Sequence, residues 1–89
     1  MAIRLTIAGI VQGIGYRDWM VREAQALGLA GWVRNSSNGT VEALIDGDDE
    51  DDLAKMVAAC RRGPRLAKVS AVSQEEVDEE APYPFQQRR

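Results

Sequence analysis

The chain contains, at residues 30–46, the sequence AGWVRNSSNGTVEALID. Two β-rich segments, 30–35 and 40–46, flank the turn sequence Ser-Ser-Asn-Gly. The Asn38-Gly39 pair supplies the positive φ angles that a tight hairpin turn requires. The stretch therefore predicts two antiparallel neighbouring strands in the middle of the chain.

On its N-terminal side this hairpin is preceded by a strand pattern and then a helix pattern. Ile3, Leu5 and Ile7 alternate with residues of the opposite face, as in a half-buried strand that ends at Gly9. Residues 16–27 instead carry apolar side chains at helical spacing, and Gly28 is suited to end that helix. The N-terminal third therefore predicts one strand followed by one helix.

On its C-terminal side the hairpin is followed by a helix pattern and then a strand pattern. Residues 53–60 show i, i+3, i+4, i+7 spacing, with acidic residues at 48–51 at the predicted start and two arginines at the end. Residues 66–77 predict a last strand, whose imperfect alternation is consistent with a bulge. The order strand, helix, strand, strand, helix, strand predicts an α+β, ferredoxin-like α/β sandwich (βαββαβ), with two helices packed on one face of an antiparallel sheet.

Length and composition limit what this fold can do. The 89 residues, 45% of them hydrophobic, suffice for one compact core. We therefore predict a single domain over 1–89, with a core at about 3–77 and an edge or tail at 78–89. A net charge of −3 argues against nucleic acid or an anionic membrane as the main partner. Without a long apolar run at the start, neither a signal peptide nor a membrane span is expected, and a cytoplasmic location is predicted.

Two residue types are scarce enough to exclude whole classes of chemistry. Histidine is absent, which rules out histidine bases, phosphohistidine intermediates and histidine metal ligands. Cys60 is the only cysteine and lies on the apolar stripe of the second predicted helix, so we expect a core thiol and no cysteine-based metal site. The acidic run at 46–52 lacks the glycine position and distal glutamate of a calcium loop and is better explained as charge at a helix start.

The connection between the first strand and the first helix is rich in glycine and reads GIVQGIGYR at residues 9–17. Glycines let backbone N–H groups converge, and a helix start adds unpaired N–H groups, so the segment is either an anion site or simply a tight turn. Arg17 favours the anion site, because a cation in the first turn opposes the helix dipole unless an anion lies between them. The alternative is a surface salt bridge from Arg17 to Asp18 or Glu23.

The hairpin contributes a second candidate, Asn35. Asn35 is most simply a residue that closes a strand before a turn. Its amide nevertheless offers both a donor and an acceptor, and in a chain without histidine such a group can orient a water molecule.

Together the two segments resemble the two signature motifs of the acylphosphatases. Residues 9–17 match the family's phosphate loop, Gly-x-Val-Gln-Gly-Val-x-Phe-Arg, and residues 31–41 match Gly-aromatic-Val-basic-Asn followed by three residues and Gly-x-Val. The resemblance implies the ferredoxin-like fold and hydrolysis of acyl phosphates to carboxylate and inorganic phosphate, with no cofactor. No metal is expected, because a chain without histidine and with one core-facing cysteine offers no plausible ligand set. Inorganic phosphate is expected to be a competitive inhibitor, because the loop addresses the part that product and substrate share. The resemblance makes Arg17 and Asn35 catalytic and assigns phosphate binding to Gln12, Gly13, Ile14, Gly15, Tyr16 and Arg17.

The departures from the family pattern remove no catalytic group. Ile10 stands where the family often has Arg, Ile14 replaces Val, Tyr16 replaces Phe and Asn38 replaces Asp. Losing a basic residue at position 10 weakens the local positive field and hence the expected phosphate affinity. The rival hypothesis is a non-catalytic ferredoxin-like binding or regulatory module for a small anionic metabolite. The motifs address the phosphate, and nothing in the sequence specifies the acyl group.

Overall fold

The computed structural model describes residues 2–89, and in it two helices lie against one face of a five-stranded sheet. The strand order is β4-β1-β3-β2-β5. The elements are β1 (Ala2–Ile10), α1 (Tyr16–Ala26), β2 (Ala30–Asn35), β3 (Val41–Asp46), α2 (Glu50–Arg62), β4 (Lys68–Val77) and β5 (Gln86–Gln87). The first four strands pair antiparallel, whereas β5 pairs parallel with β2. The ferredoxin-like prediction is confirmed, with the correction that the short fifth strand makes the sheet mixed.

The central hairpin forms at the predicted turn, but of the Asn38-Gly39 pair only Gly39 has a positive φ, at +89°, so the prediction of a positive φ at Asn38 is wrong. Asn35 pairs with Val41 at the end of the β2–β3 ladder next to the turn. Within the turn, the Ser36 backbone N–H donates to the Thr40 carbonyl at 2.8 Å. The Asn38 side-chain oxygen accepts from both the backbone N–H and the hydroxyl of Thr40, at 3.2 and 2.7 Å. These local bonds fix the position of Asn35 at the end of β2.

The main core lies between the helices and the sheet. Alternate residues of the central strands face it, and both helices contribute a methionine that is fully buried. The largest contributors are Leu5, Ile7, Met20, Val33, Val41, Ile45 and Met56. On the other face of the sheet, Trp32 is also buried, and the guanidinium carbons of Arg4, Arg34 and Arg88 lie 4.9–5.9 Å from the centre of its ring.

Helix α2 begins and ends as its charge pattern predicts. Asp49 is the N-cap, and its carboxylate accepts from the Asp51 backbone N–H at 2.8 Å. Arg61 and Arg62 occupy the last turn, where positive charge is favourable. Cys60 is buried on this helix, and burial raises the pKa of its thiol to about 12, so the thiol is neutral at physiological pH.

The last long strand contains the predicted bulge. Ala8 pairs with Ala71 and Gly9 with Val69, which leaves Ser70 unpaired in β4. The strand begins at Lys68 rather than at Leu66. Leu66 lies in the preceding turn, where it is 69% exposed.

The tail at 78–89 returns to the sheet and forms β5. Phe85 inserts into the main core and is 1% exposed, although the sequence analysis did not assign it to the core. The Gly31 backbone N–H donates to the Pro82 carbonyl at 2.7 Å. A Cβ at Gly31 would lie 1.8 Å from the Leu44 carbonyl oxygen, and the φ angle is +138°, so this close approach requires glycine. Within residues 2–89, no helix is both long and apolar enough to cross a membrane.

Candidate active site

A cavity of about 230 Å³ lies where the end of β1, the start of α1 and the end of β2 meet. Its lining brings together the two sequence motifs and one residue of the C-terminal strand. The residues are Val11, Gly13, Gly15, Tyr16, Arg17, Asp18, Asn35 and Gln87. Arg17 and Asn35, the two predicted catalytic residues, therefore face the same space.

The start of α1 offers backbone donors to this cavity. Gly15 is the N-cap in the left-handed region at φ +82°, and no side chain caps the helix there. The first helical bond runs from the Trp19 N–H to the Gly15 carbonyl at 3.0 Å. The N–H groups of the preceding turn consequently have no partner inside the helix. An uncapped helix start next to a glycine loop is a favourable anion site.

Arg17 adds a cationic side chain to those donors. It is half-buried, and across residues 2–89 its guanidinium makes neither a hydrogen bond nor an ion pair. The alternative salt bridges to Asp18 and Glu23 are not formed. The Asp18 carboxylate instead accepts from the Gln87 side-chain amide. The guanidinium is therefore free to bind a ligand.

Asn35 lines the cavity from the end of β2. It lies two residues after Val33 in β2 and so shares the helix-covered face of the sheet. Its Oδ1 is buried and accepts no hydrogen bond from the described part of the chain. Buried amide oxygens are nearly always hydrogen-bonded, so a water molecule or ligand is the expected partner.

Gln12 connects the phosphate loop to the hairpin. Its Nε2 donates to the carbonyls of Ser36 and Thr40, at 2.8 and 2.9 Å. These carbonyls flank the turn that follows Asn35. The predicted phosphate contact of Gln12 is through its backbone N–H and stays a prediction; its side chain does not line the cavity and is bonded to the hairpin instead. We expect this side chain to position Asn35.

We expect Gln12→Ala to lower kcat by about tenfold, because a loop and a hairpin no longer tied together allow Asn35 to move away from its productive position. Gln74→Ala, an exposed amide on β4, serves as the control. Steady-state kinetics on an acyl phosphate measure kcat, and urea unfolding shows whether the fold is retained. A folded Gln12→Ala protein with wild-type kcat would contradict the positioning role.

Tyr16 contributes its backbone to the site and its side chain to the core. The hydroxyl donates to the Cys60 carbonyl at 2.8 Å, and the ring is 1% exposed. That carbonyl has no helical donor four residues on, because Pro64 lacks an N–H. Burial raises the pKa of Tyr16 above its usual range. The departure from the family's Phe at this position is thus explained by a bond that satisfies the end of α2.

We expect Tyr16→Phe to lower the free energy of unfolding by about 1–3 kcal/mol, because the Cys60 carbonyl is left buried without a donor. Tyr83→Phe is the matched control, since Tyr83 is 72% exposed. Urea denaturation of both variants measures the difference. Equal midpoints for the two variants would contradict this account of Tyr16.

The remaining predicted phosphate-binding residues divide between two places. Gly13, like Gly15, lines the cavity, whereas Ile14 packs against the core and lies in a neighbouring groove. Sequence reasoning missed Asp18, which lies in the first turn of α1, and Gln87, which reaches the cavity because β5 pairs with β2. No periodic signal in the tail marks Gln87. Among the described residues, no group of three or more His, Cys, Asp or Glu side chains is placed to hold a metal ion.

Comparison with known proteins identifies the family. A family model described as acylphosphatase matches residues 3–87. The chain belongs to the acylphosphatase family. Among curated acylphosphatases, that of Acidiphilium cryptum is 51% identical over 72 residues, which cover 81% of this chain and 78% of the relative.

Solved acylphosphatase structures superpose along the whole chain. The acylphosphatase of Coxiella burnetii is 36% identical with a TM-score of 0.91, covering 98% of this chain and 90% of that one. The acylphosphatase of Bacillus subtilis is 33% identical with a TM-score of 0.86, covering 99% and 98% of the two chains. The acylphosphatase fold therefore extends over both motifs and the C-terminal strand.

Proposed function

We propose that the protein hydrolyses the carboxyl-phosphate bond of acyl phosphates, releasing a carboxylate and inorganic phosphate. Membership of the acylphosphatase family supports the reaction class. One observation carries the assignment of residues. A single cavity combines an uncapped helix start, the Arg17 guanidinium and the buried Asn35 Oδ1, neither of which has a partner among residues 2–89.

The phosphate of the substrate binds in the loop at 12–17. Backbone N–H groups of the loop and helix start, together with the Arg17 guanidinium, neutralise charge on the equatorial phosphate oxygens. A guanidinium can hold two of these oxygens at once. Because product phosphate shares these contacts with the substrate, inorganic phosphate is expected to compete with it.

Asn35 holds the attacking water in line with the bond that breaks. The water oxygen forms a bond to phosphorus, and the bond between phosphorus and the acyl oxygen breaks with its electron pair leaving on the carboxylate. The water proton passes to a phosphate oxygen or to bulk water. Because a carboxylate is a good leaving group, the water needs orientation more than it needs a strong base.

The proposal is tested by following the ultraviolet loss of benzoyl phosphate with purified protein, with and without a chelator, against the uncatalysed rate. We expect turnover that the chelator leaves unchanged. Absence of turnover at every concentration would favour a binding module for a small anionic metabolite. Turnover that stops with the chelator and returns with Mg²⁺ would contradict the metal-free mechanism.

A cytoplasmic location and the lack of a nucleic-acid partner stay predictions.

A further inference from the structure

A second groove opens directly beside the phosphate cavity. Its volume is about 410 Å³, within the range of roughly 300–1,000 Å³ that is common for small-molecule sites. The groove and the cavity share Gly15 and Asp18 as a common rim. Asn35 lines the cavity but not the groove. A ligand with its phosphate in the cavity can therefore extend into the groove without crossing the Asn35 wall.

The walls of the groove are largely apolar. Ile14 and Trp19 are half-buried and pack against the core, and Leu66 completes the groove from the turn before β4. Leu66 is 69% exposed and therefore contributes little to the folded core. An exposed Leu66 by itself would be ordinary, but together with the half-buried Ile14 and Trp19 it gives an apolar wall to a groove next to a phosphate site, as is typical of ligand-binding surfaces.

The rim of the groove carries positive charge. Arg22 of α1 and Arg65 of the turn line it, and both are exposed. Neither makes a hydrogen bond or an ion pair with any residue in 2–89. Asp18 lies at the same rim with its carboxylate accepting from Gln87, so the two arginines leave a net positive charge at the groove. They favour an anionic group on whatever fills the groove.

We infer that this groove binds the acyl group of the substrate, and that the preferred substrates have an apolar acyl body, such as an aryl ring, with a second anionic group at its far end. The apolar body contacts Ile14, Trp19 and Leu66, and the distal anion lies near Arg22 and Arg65. The inference rests on the proposed function, because it requires the phosphate of the same molecule to occupy the neighbouring cavity.

Three acyl phosphates test this assignment: acetyl, benzoyl and 4-carboxybenzoyl phosphate, each corrected for its uncatalysed hydrolysis. We expect kcat/KM for benzoyl phosphate to exceed that for acetyl phosphate by about tenfold or more, from the buried ring. We expect the carboxybenzoyl compound to exceed the benzoyl compound by about threefold at low ionic strength, with the advantage lost in salt.

Matched variants locate the effect. Leu66→Ser is expected to lower the ratio of kcat/KM for benzoyl phosphate to that for acetyl phosphate about fivefold, because the ring loses its apolar contact with Leu66. Tyr83→Ser, an equally exposed position away from the groove, is expected to keep the ratio. Arg22→Gln and Arg65→Gln are each expected to reduce the carboxybenzoyl-to-benzoyl ratio, whereas Arg62→Gln, exposed and outside the groove, is the control.

The outcomes separate this inference from the proposed function. Turnover of all three compounds at similar corrected rates, or ratios that none of the groove variants changes, would overturn the acyl groove and leave the hydrolase assignment standing. Absence of turnover with all three compounds would overturn the proposed function and the groove with it.

Discussion

Arg17→Ala is expected to lower kcat/KM for an acyl phosphate by about three orders of magnitude, because the side chain contacts the phosphate in both the ground state and the transition state. We expect kcat to fall and KM to rise. The inhibition constant of inorganic phosphate is expected to rise in parallel, since the product makes the same contacts. Arg17→Lys is expected to rescue little, because an ammonium keeps the charge but loses the two-pronged geometry.

Arg62→Ala provides the matched control for this prediction, since Arg62 is an exposed arginine outside the cavity. Circular dichroism and urea unfolding establish that the variants are folded. Arg17 forms no ion pair with residues 2–89, so its removal leaves none of them as an uncompensated charge, and the stability of Arg17→Ala is expected to stay near that of the wild type. A folded Arg17→Ala protein with unchanged phosphate inhibition would contradict the phosphate contact.

Asn35→Ala is expected to have a different kinetic signature. If Asn35 acts on the water, its removal lowers kcat by about two orders of magnitude, while KM and phosphate inhibition change little, as expected for an interaction realised in the transition state. The buried Oδ1 without a partner supports this assignment, because the atom makes no structural hydrogen bond to lose. Gln86→Ala, an exposed amide on β5 outside the cavity, is the control.

Two results would contradict the role of Asn35. An Asn35→Ala protein with normal kcat would show that the amide does not position the attacking water. An Asn35→Ala protein with greatly weakened phosphate inhibition would show that Asn35 binds the phosphate instead. Comparison with Gln12→Ala distinguishes direct action from positioning, because the Gln12 side chain is bonded to the Ser36 and Thr40 carbonyls and not to the cavity.

Local signals in the sequence predicted most of the fold. The turn sequence at 36–39 predicted the central hairpin, although only Gly39 takes the positive φ that was expected of both Asn38 and Gly39, and Asn38 acts through its side-chain bonds to Thr40. The acidic run before α2 supplied the N-cap Asp49. The predicted start of β4 was less accurate, because Gly63 and Pro64 lead into a turn that extends past Leu66.

The tail could not be predicted because its structure depends on distant contacts. Residues 82–85 read Pro-Tyr-Pro-Phe and show neither a helix nor a strand period. Phe85 is anchored by the main core, and β5 is held by pairing with β2. Gln87 consequently reaches the cavity through a tertiary arrangement that no local pattern encodes.

The sequence predicted two side chains that meet in the candidate cavity, but it did not predict the contacts that support them. Arg17 and Asn35 lie in motifs whose residue types match their chemistry, and the structure brings both to one cavity. The roles of the Gln12 and Tyr16 side chains depend on which carbonyls approach them in the folded protein. A motif specifies that these residues occur, but only the packing shows what they bind.

The most direct test of the central claim is single-turnover hydrolysis of benzoyl phosphate in ¹⁸O-labelled water, with mass analysis of both products. Water held at phosphorus by Asn35 places the label in inorganic phosphate and leaves benzoate unlabelled. Label in benzoate would show attack at the carbonyl carbon and would contradict the proposed arrangement of Arg17 and Asn35 around the phosphate.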